Sequence, residues 1–102
     1  MSMVQKDDIF LRVAYVNFLE DYKLRLEFND GVVKDVDLAE ELIGEVFEPL
    51  MDVKLFKKVY VNEDTGTIEW PNGADFAPEF LYETGVELDK LDRAKVSSPV
   101  ND

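Results

Sequence analysis

The 102-residue chain contains neither cysteine nor histidine. Without cysteine there are no disulfides and no thiolate nucleophile, a composition that suits a reducing compartment. Without histidine the commonest general base is gone and, with cysteine also missing, so are the usual ligands of zinc. Serine occurs only as Ser2, Ser97 and Ser98, near the chain ends, where no rigid scaffold orients a nucleophile. Neither phosphate-loop pattern, GxxxxGK[ST] or GxGxxG, is found. No apolar run approaches the roughly 20 residues that span a bilayer. The start, Met1 to Asp8, has no basic stretch leading into an apolar one. The expectation is a cytoplasmic protein with no membrane segment and no cofactor.

Positive charge is also scarce. Eleven Lys and Arg stand against 23 Asp and Glu, for a net charge of −12. A field of that sign repels phosphate, so the sequence alone argues against direct nucleic-acid binding and against docking on anionic lipid. The excess acid either keeps a small protein soluble or faces a basic partner.

What is present fits one globular domain. The chain is 46% hydrophobic, with seven Phe and one Trp, and this length buries roughly 65% of the surface that the unfolded chain exposes. The expected domain runs from 10 to 85, between a flexible segment 1–9 and a polar, fraying tail 86–102.

Phe10 to Phe18 is rich in aromatic and β-branched residues and reads as a strand. Tyr22 to Phe28 alternates strictly, with Tyr22, Leu24, Leu26 and Phe28 on one face and Lys23, Arg25 and Glu27 on the other. Asn29-Asp30-Gly31 tolerates positive φ and predicts a hairpin into a return strand, Val32 to Asp37. Asp37 with Glu40 forms a capping-box pattern, predicting a short helix from Leu38 to about Ile43 that stops at Gly44. Asp52 is an N-cap candidate for a second helix to about Lys58. Val59 to Val61 and Thr67 to Trp70 read as a second hairpin around Asn62 to Gly66. Pro78 at a first helical position opens a third helix, closed by Gly85. The fold expected is α+β: an antiparallel sheet made of an N-terminal meander and a second hairpin, with three short helices.

Three constellations carry polar chemistry. Asn62 to Gly66 groups oxygens that can hold a divalent cation, but it lacks the spacing of an EF-hand loop, which favours a plain turn. Trp70, Asn72 and Asp75 sit in a turn-rich block where Asp75 either caps the helix at Pro78 or joins Trp70 in a binding surface. Glu40, Glu41, Glu45, Glu48 and Asp52 form an acidic run, either a solvated face or a docking face for a basic protein. An enzyme relying on acids or Tyr, with Mg²⁺ on Glu63, Asp64 or Asp75, is the reading left for catalysis.

Tyr22 to Gly31, Val36-Asp37-Leu38, Val46 to Leu50, Leu55 to Val59 and, most specifically, Ile68 to Tyr82 with its Trp70-Pro71-Asn72-Gly73-Ala74-Asp75 block resemble the family called domain of unknown function 2442. The resemblance runs from about Phe10 to Tyr82. It implies a compact bacterial α+β domain, often encoded beside a small protein of domain of unknown function 4160 in pairs that look like toxin–antitoxin modules. Some members carry a helix-turn-helix DNA-binding domain after the core, and here only about 20 residues follow Tyr82. The function expected is therefore a non-enzymatic interaction module, antitoxin-like toward a small neighbouring protein. The alternative is a homo-oligomer built on the first strand, which carries apolar residues on both faces.

Overall fold

The computed structural model describes residues 10–88. Six strands and two α-helices follow in chain order: β1 Val13–Glu20, β2 Lys23–Phe28, β3 Val33–Asp37, α1 Val53–Phe56, β4 Tyr60–Asn62, β5 Thr67–Glu69, α2 Pro78–Thr84 and β6 Val86–Glu87. Two single 3₁₀ turns, Ala39–Glu41 and Glu48–Met51, lie between β3 and α1. β1, β2, β3 and β6 form one antiparallel sheet in that order, and β4 pairs with β5 in a second.

The alternation of β2 places Leu24, Leu26 and Phe28 in the core, each at most 1% exposed. Its opposite face carries Arg25, which donates through Nε and Nη2 to both carboxylate oxygens of Asp35 on β3 at 2.7 and 2.9 Å. Asp30 accepts from the Val32 amide at 2.9 Å, and Gly31 takes a φ of 87°, so the tight turn expected here forms.

β1 departs from a simple alternation. Its register against β2 shifts between Val13 and Tyr15 and again between Phe18 and Glu20. The first irregularity puts Val13, Val16 and Phe18 toward the core side and turns Tyr15 outward, 64% exposed. The strand also starts three residues later than expected, because Arg12 is engaged with the Asn29 side chain.

The helix expected over 38–43 is one 3₁₀ turn. Asp37 does accept from Ala39 N at 3.0 Å, and Leu38 and Leu42 are buried, but burial of those two needs no α-helix. Nucleating so short a helix is costly, and the chain leaves it at Leu42. Gly44 still takes a φ of 98°. Asp52 caps α1 as expected, accepting from Lys54 N at 3.0 Å. Val86–Glu87, assigned from sequence to a fraying tail, are instead β6 on the free edge of β3. The segments 1–9 and 89–102 lie outside the described residues.

α2 is fastened to the sheet at several points. Leu81 is fully buried, the Lys34 ammonium lies 3.9 Å from the centre of the Tyr82 ring, and that ammonium also donates to the Tyr82 carbonyl. The Tyr82 hydroxyl donates to Asp30 at 2.7 Å, joining the helix to the β2–β3 turn. That bond, then partial burial and the negative charges of Asp30 and Glu87, push Tyr82 ionisation above the ordinary 10.0. The unfolded phenol gives up its proton at lower pH than the folded one, so the contribution is complete below pH 10 and is lost as pH rises through the folded value. Urea midpoints of wild type and Tyr82→Phe should therefore differ near neutrality and converge above pH 10.

Candidate functional site

The connector from β3 to α1 carries most of the sequence-nominated acids. From 35 to 53 the chain has no Lys or Arg at all. Leu38, Leu42 and Leu50 anchor the segment in the core, whereas Ile43 is 73%, Met51 48% and Val46 43% exposed. Exposed apolar side chains on a loosely held loop carry little meaning, but this one is held. Tyr22 donates its hydroxyl to the Met51 carbonyl, the Glu48 amide donates to Gly44 O at 2.8 Å, and Phe47 stacks on Phe76 with ring centres 4.7 Å apart.

The block from Trp70 to Asp75 meets this connector directly. Asn72 Nδ2 donates to the Val46 carbonyl at 2.9 Å, while Asn72 Oδ1 accepts from Ala74 N at 3.1 Å. The turn is closed by Trp70 N to Ala74 O and Gly73 N to Trp70 O, at 2.9 and 2.8 Å. One amide side chain thus shapes its own turn and ties that turn to a segment 26 residues earlier. Pro71, Asn72, Gly73 and Asp75 are exposed beside it.

Trp70 itself is not part of that surface. It is 0% exposed, its indole N–H donates to Phe56 O at 2.8 Å, and its ring packs on Phe56 and Phe76 at 5.5 and 5.9 Å. A large amphipathic ring with a carbonyl in reach is more stable inside than on the surface. Trp70 therefore positions the exposed turn from beneath. Asp75 also differs from one expectation: it bridges to Glu69 in an antiparallel pair, and α2 begins at Pro78 with Ala77 as its N-cap and no side-chain cap. The capping position is held by Ala77, whose side chain has no acceptor to offer the following amides.

The acids are not all in one place. Glu45 and Glu48 are exposed within two residues of Val46, whose carbonyl accepts from Asn72. Glu40 and Glu41 line a shallow pocket of about 330 Å³ with Asp37, Ala39 and Thr84. Asp52 spends one oxygen capping α1. In the β4–β5 turn, the Asn62 side chain accepts from Asp64 N and donates to Glu69 at 2.9 and 2.6 Å, which makes it a turn-former. Among the described residues no three acids converge as a cation site would require. No described helix is long and apolar enough to cross a membrane.

Sequence reasoning missed Ile43, Val46 and Met51: Ile43 fell in an expected helix and reads as core, and the other two lie in an apolar connector whose exposed positions no periodicity marks. It also missed Lys54, Lys57 and Lys58, exposed on and just after α1.

Residues 13–87 match the family described as "Protein of unknown function (DUF2442)". The chain belongs to the DUF2442 family. No curated protein matches it. A crystal structure from Nitrosomonas europaea, named "Putative DNA Binding Protein", is similar to this DUF2442 domain, with a TM-score of 0.65 and 28% identity over 74% of this chain. The match spans 48% of that protein, about half its length.

That similarity overturns the expectation of no direct nucleic-acid contact. The expectation rested on a net charge of −12, a property of the whole chain, whereas phosphate contact depends on where cations cluster locally. Lys54, Lys57 and Lys58 are such a cluster within five residues.

Proposed function

We propose that this DUF2442 domain is a non-enzymatic, cytoplasmic binding module that docks a basic protein on the connector and the Asn72 turn. The observation that carries the reading is the Asn72–Val46 bond. It joins two exposed segments into one surface, with Ile43, Val46 and Met51 among acids and no base from 35 to 53. Exposed apolar groups supply the contact energy of an interface, and a ring of one charge selects the partner and speeds encounter.

The resemblance noted from sequence points to a small protein encoded beside the gene as the partner, bound in an antitoxin-like way. Acids and apolar groups would cover a basic functional surface on it. Tagged chain co-expressed with its genomic neighbours should retain a small basic protein at moderate salt and release it as salt rises, because charge contacts between exposed groups are screened. If the chain comes down alone, or expressing it fails to relieve toxicity of the neighbouring protein, the reading is lost.

A second reading has its own observation. The Nitrosomonas protein's name brings DNA into consideration, and the exposed Lys54, Lys57 and Lys58 would be the phosphate contacts. Duplex DNA should then bind with a strong salt dependence, and replacing the three lysines with Ala should lower the salt slope by about 2 to 3. Fluorescence anisotropy decides this: no binding at low salt, or an unchanged slope, removes it.

A further inference from the structure

We infer that Asn72-Gly73 is a self-modification site, where the Gly73 backbone converts the Asn72 side chain to an acid whenever the fold releases this turn. The inference concerns the bond that joins the turn to the connector, and it holds whatever docks there. Of Asn17, Asn29, Asn62, Asn72 and Asn101, Asn72 alone precedes a glycine. Deamidation begins when the next residue's amide nitrogen attacks the Asn side-chain carbonyl carbon, and a side chain on that next residue hinders the approach. Gly73 has none, and a Cβ built there meets nothing within 4 Å, so its surroundings are open as well. Asn72 and Gly73 are both exposed, which gives water and hydroxide access.

The step balances with water as the only co-reactant. Gly73 N gives its proton to hydroxide and bonds to Asn72 Cγ. The Cγ–Nδ2 bond breaks, and Nδ2 leaves as ammonia after taking a proton from solvent. Water then opens the five-membered succinimide. Addition at Cγ yields aspartate, and addition at the main-chain carbonyl yields isoaspartate, with one extra carbon in the backbone.

The native turn opposes this at three points. Gly73 N–H donates to Trp70 O at 2.8 Å, which engages the nitrogen that must attack. Asn72 Oδ1 accepts from Ala74 N at 3.1 Å and Nδ2 donates to Val46 O at 2.9 Å. The carboxamide is thus fixed at both ends, and Cγ is kept from turning onto Gly73 N. Release of these bonds is a local opening, much faster than the chemistry, so the rate follows the open population. The product cannot restore the tie to the connector. A carboxylate has no hydrogen to donate and would face the Val46 carbonyl acceptor to acceptor. The bond from Ala74 N needs only an acceptor, so in the aspartate form the turn survives while the connector is released.

The test is incubation of the full chain in native buffer and in urea at one pH and temperature, with each Asn followed by peptide mass spectrometry. In urea, conversion should be faster at Asn72 than at Asn29 or Asn62. In native buffer, conversion at Asn72 should be slower by at least about tenfold. Asn72→Asp keeps the acceptor toward Ala74 N and removes the donor toward Val46 O. It should speed amide exchange about fivefold at Phe47 and Glu48, whose N–H groups bond to Gly44 O within the connector. Equal rates in buffer and urea, no preference for Asn72 in urea, or unchanged exchange in a folded Asn72→Asp chain would each overturn the inference.

Discussion

Trp70→Ala is expected to cost about 3–5 kcal/mol of folding stability, a large share of the roughly 5–15 kcal/mol that holds a small domain together. The indole is fully buried between Phe56 and Phe76, and those rings connect onward. Phe56 meets Tyr22 and Phe18, at 5.4 and 6.2 Å, while Phe76 stacks with Phe47 and Phe80. Removing the centre of that chain leaves a cavity that its neighbours cannot close without leaving the sheet, the connector or α2. It also removes the shorter of the two hydrogen bonds that the Phe56 carbonyl accepts, leaving the one from Val59 N at 3.3 Å, a loss of about 1 kcal/mol. Trp70→Phe should show the smaller effect, since it keeps a ring but loses the N–H. Urea unfolding followed by circular dichroism separates them. A loss below about 1 kcal/mol for Trp70→Ala would mean that the ring is not the hub of the core.

Gly85→Ala is expected to cost about 1–3 kcal/mol through crowding alone. Gly85 has φ −72° and ψ 159°, an extended conformation open to any residue. What it lacks is room: an added methyl would sit 2.9 Å from Lys34 Cβ, 2.9 Å from Val36 Cγ2 and 3.0 Å from the Leu81 carbonyl. α2 would have to lift from β3, the strand that also holds β6. Gly44→Ala makes the contrast, because a methyl there meets nothing within 4 Å and the cost, about 1 kcal/mol, comes from φ 98°. Asn tolerates positive φ, so Gly44→Asn should recover stability that Gly44→Ala loses, while Gly85→Asn should be no better than Gly85→Ala. Equal behaviour of the two sites in urea unfolding would contradict this division.

The elements legible in the sequence are those whose signal is local. β2 is read from strict alternation, its turn from Asn29-Asp30-Gly31, and α1 and α2 from Asp52 and Pro78, whose effect reaches only one helical turn. The elements that escaped are decided by distant partners. β6 is two residues long and exists because β3 offers an edge. The irregularity at Val13 to Tyr15 depends on Arg12 bonding to Asn29, and the 3₁₀ turn at Ala39–Glu41 on Leu38 and Leu42 reaching the core by a shorter path. Of the candidate site, the acids and Asn72 could be named from sequence. That Trp70 supports the turn from below, and that Asn72 binds Val46, could not, because both contacts cross the fold.

The most direct measurement is calorimetric titration of the neighbouring basic protein into wild type and into the Glu45→Lys/Glu48→Lys double variant. Both substitutions lie on exposed side chains beside Val46, so the fold and its urea midpoint should be retained. The account predicts that the dissociation constant rises at least about tenfold, with most of the loss disappearing at high salt. An unchanged dissociation constant in a folded double variant would contradict docking on this surface.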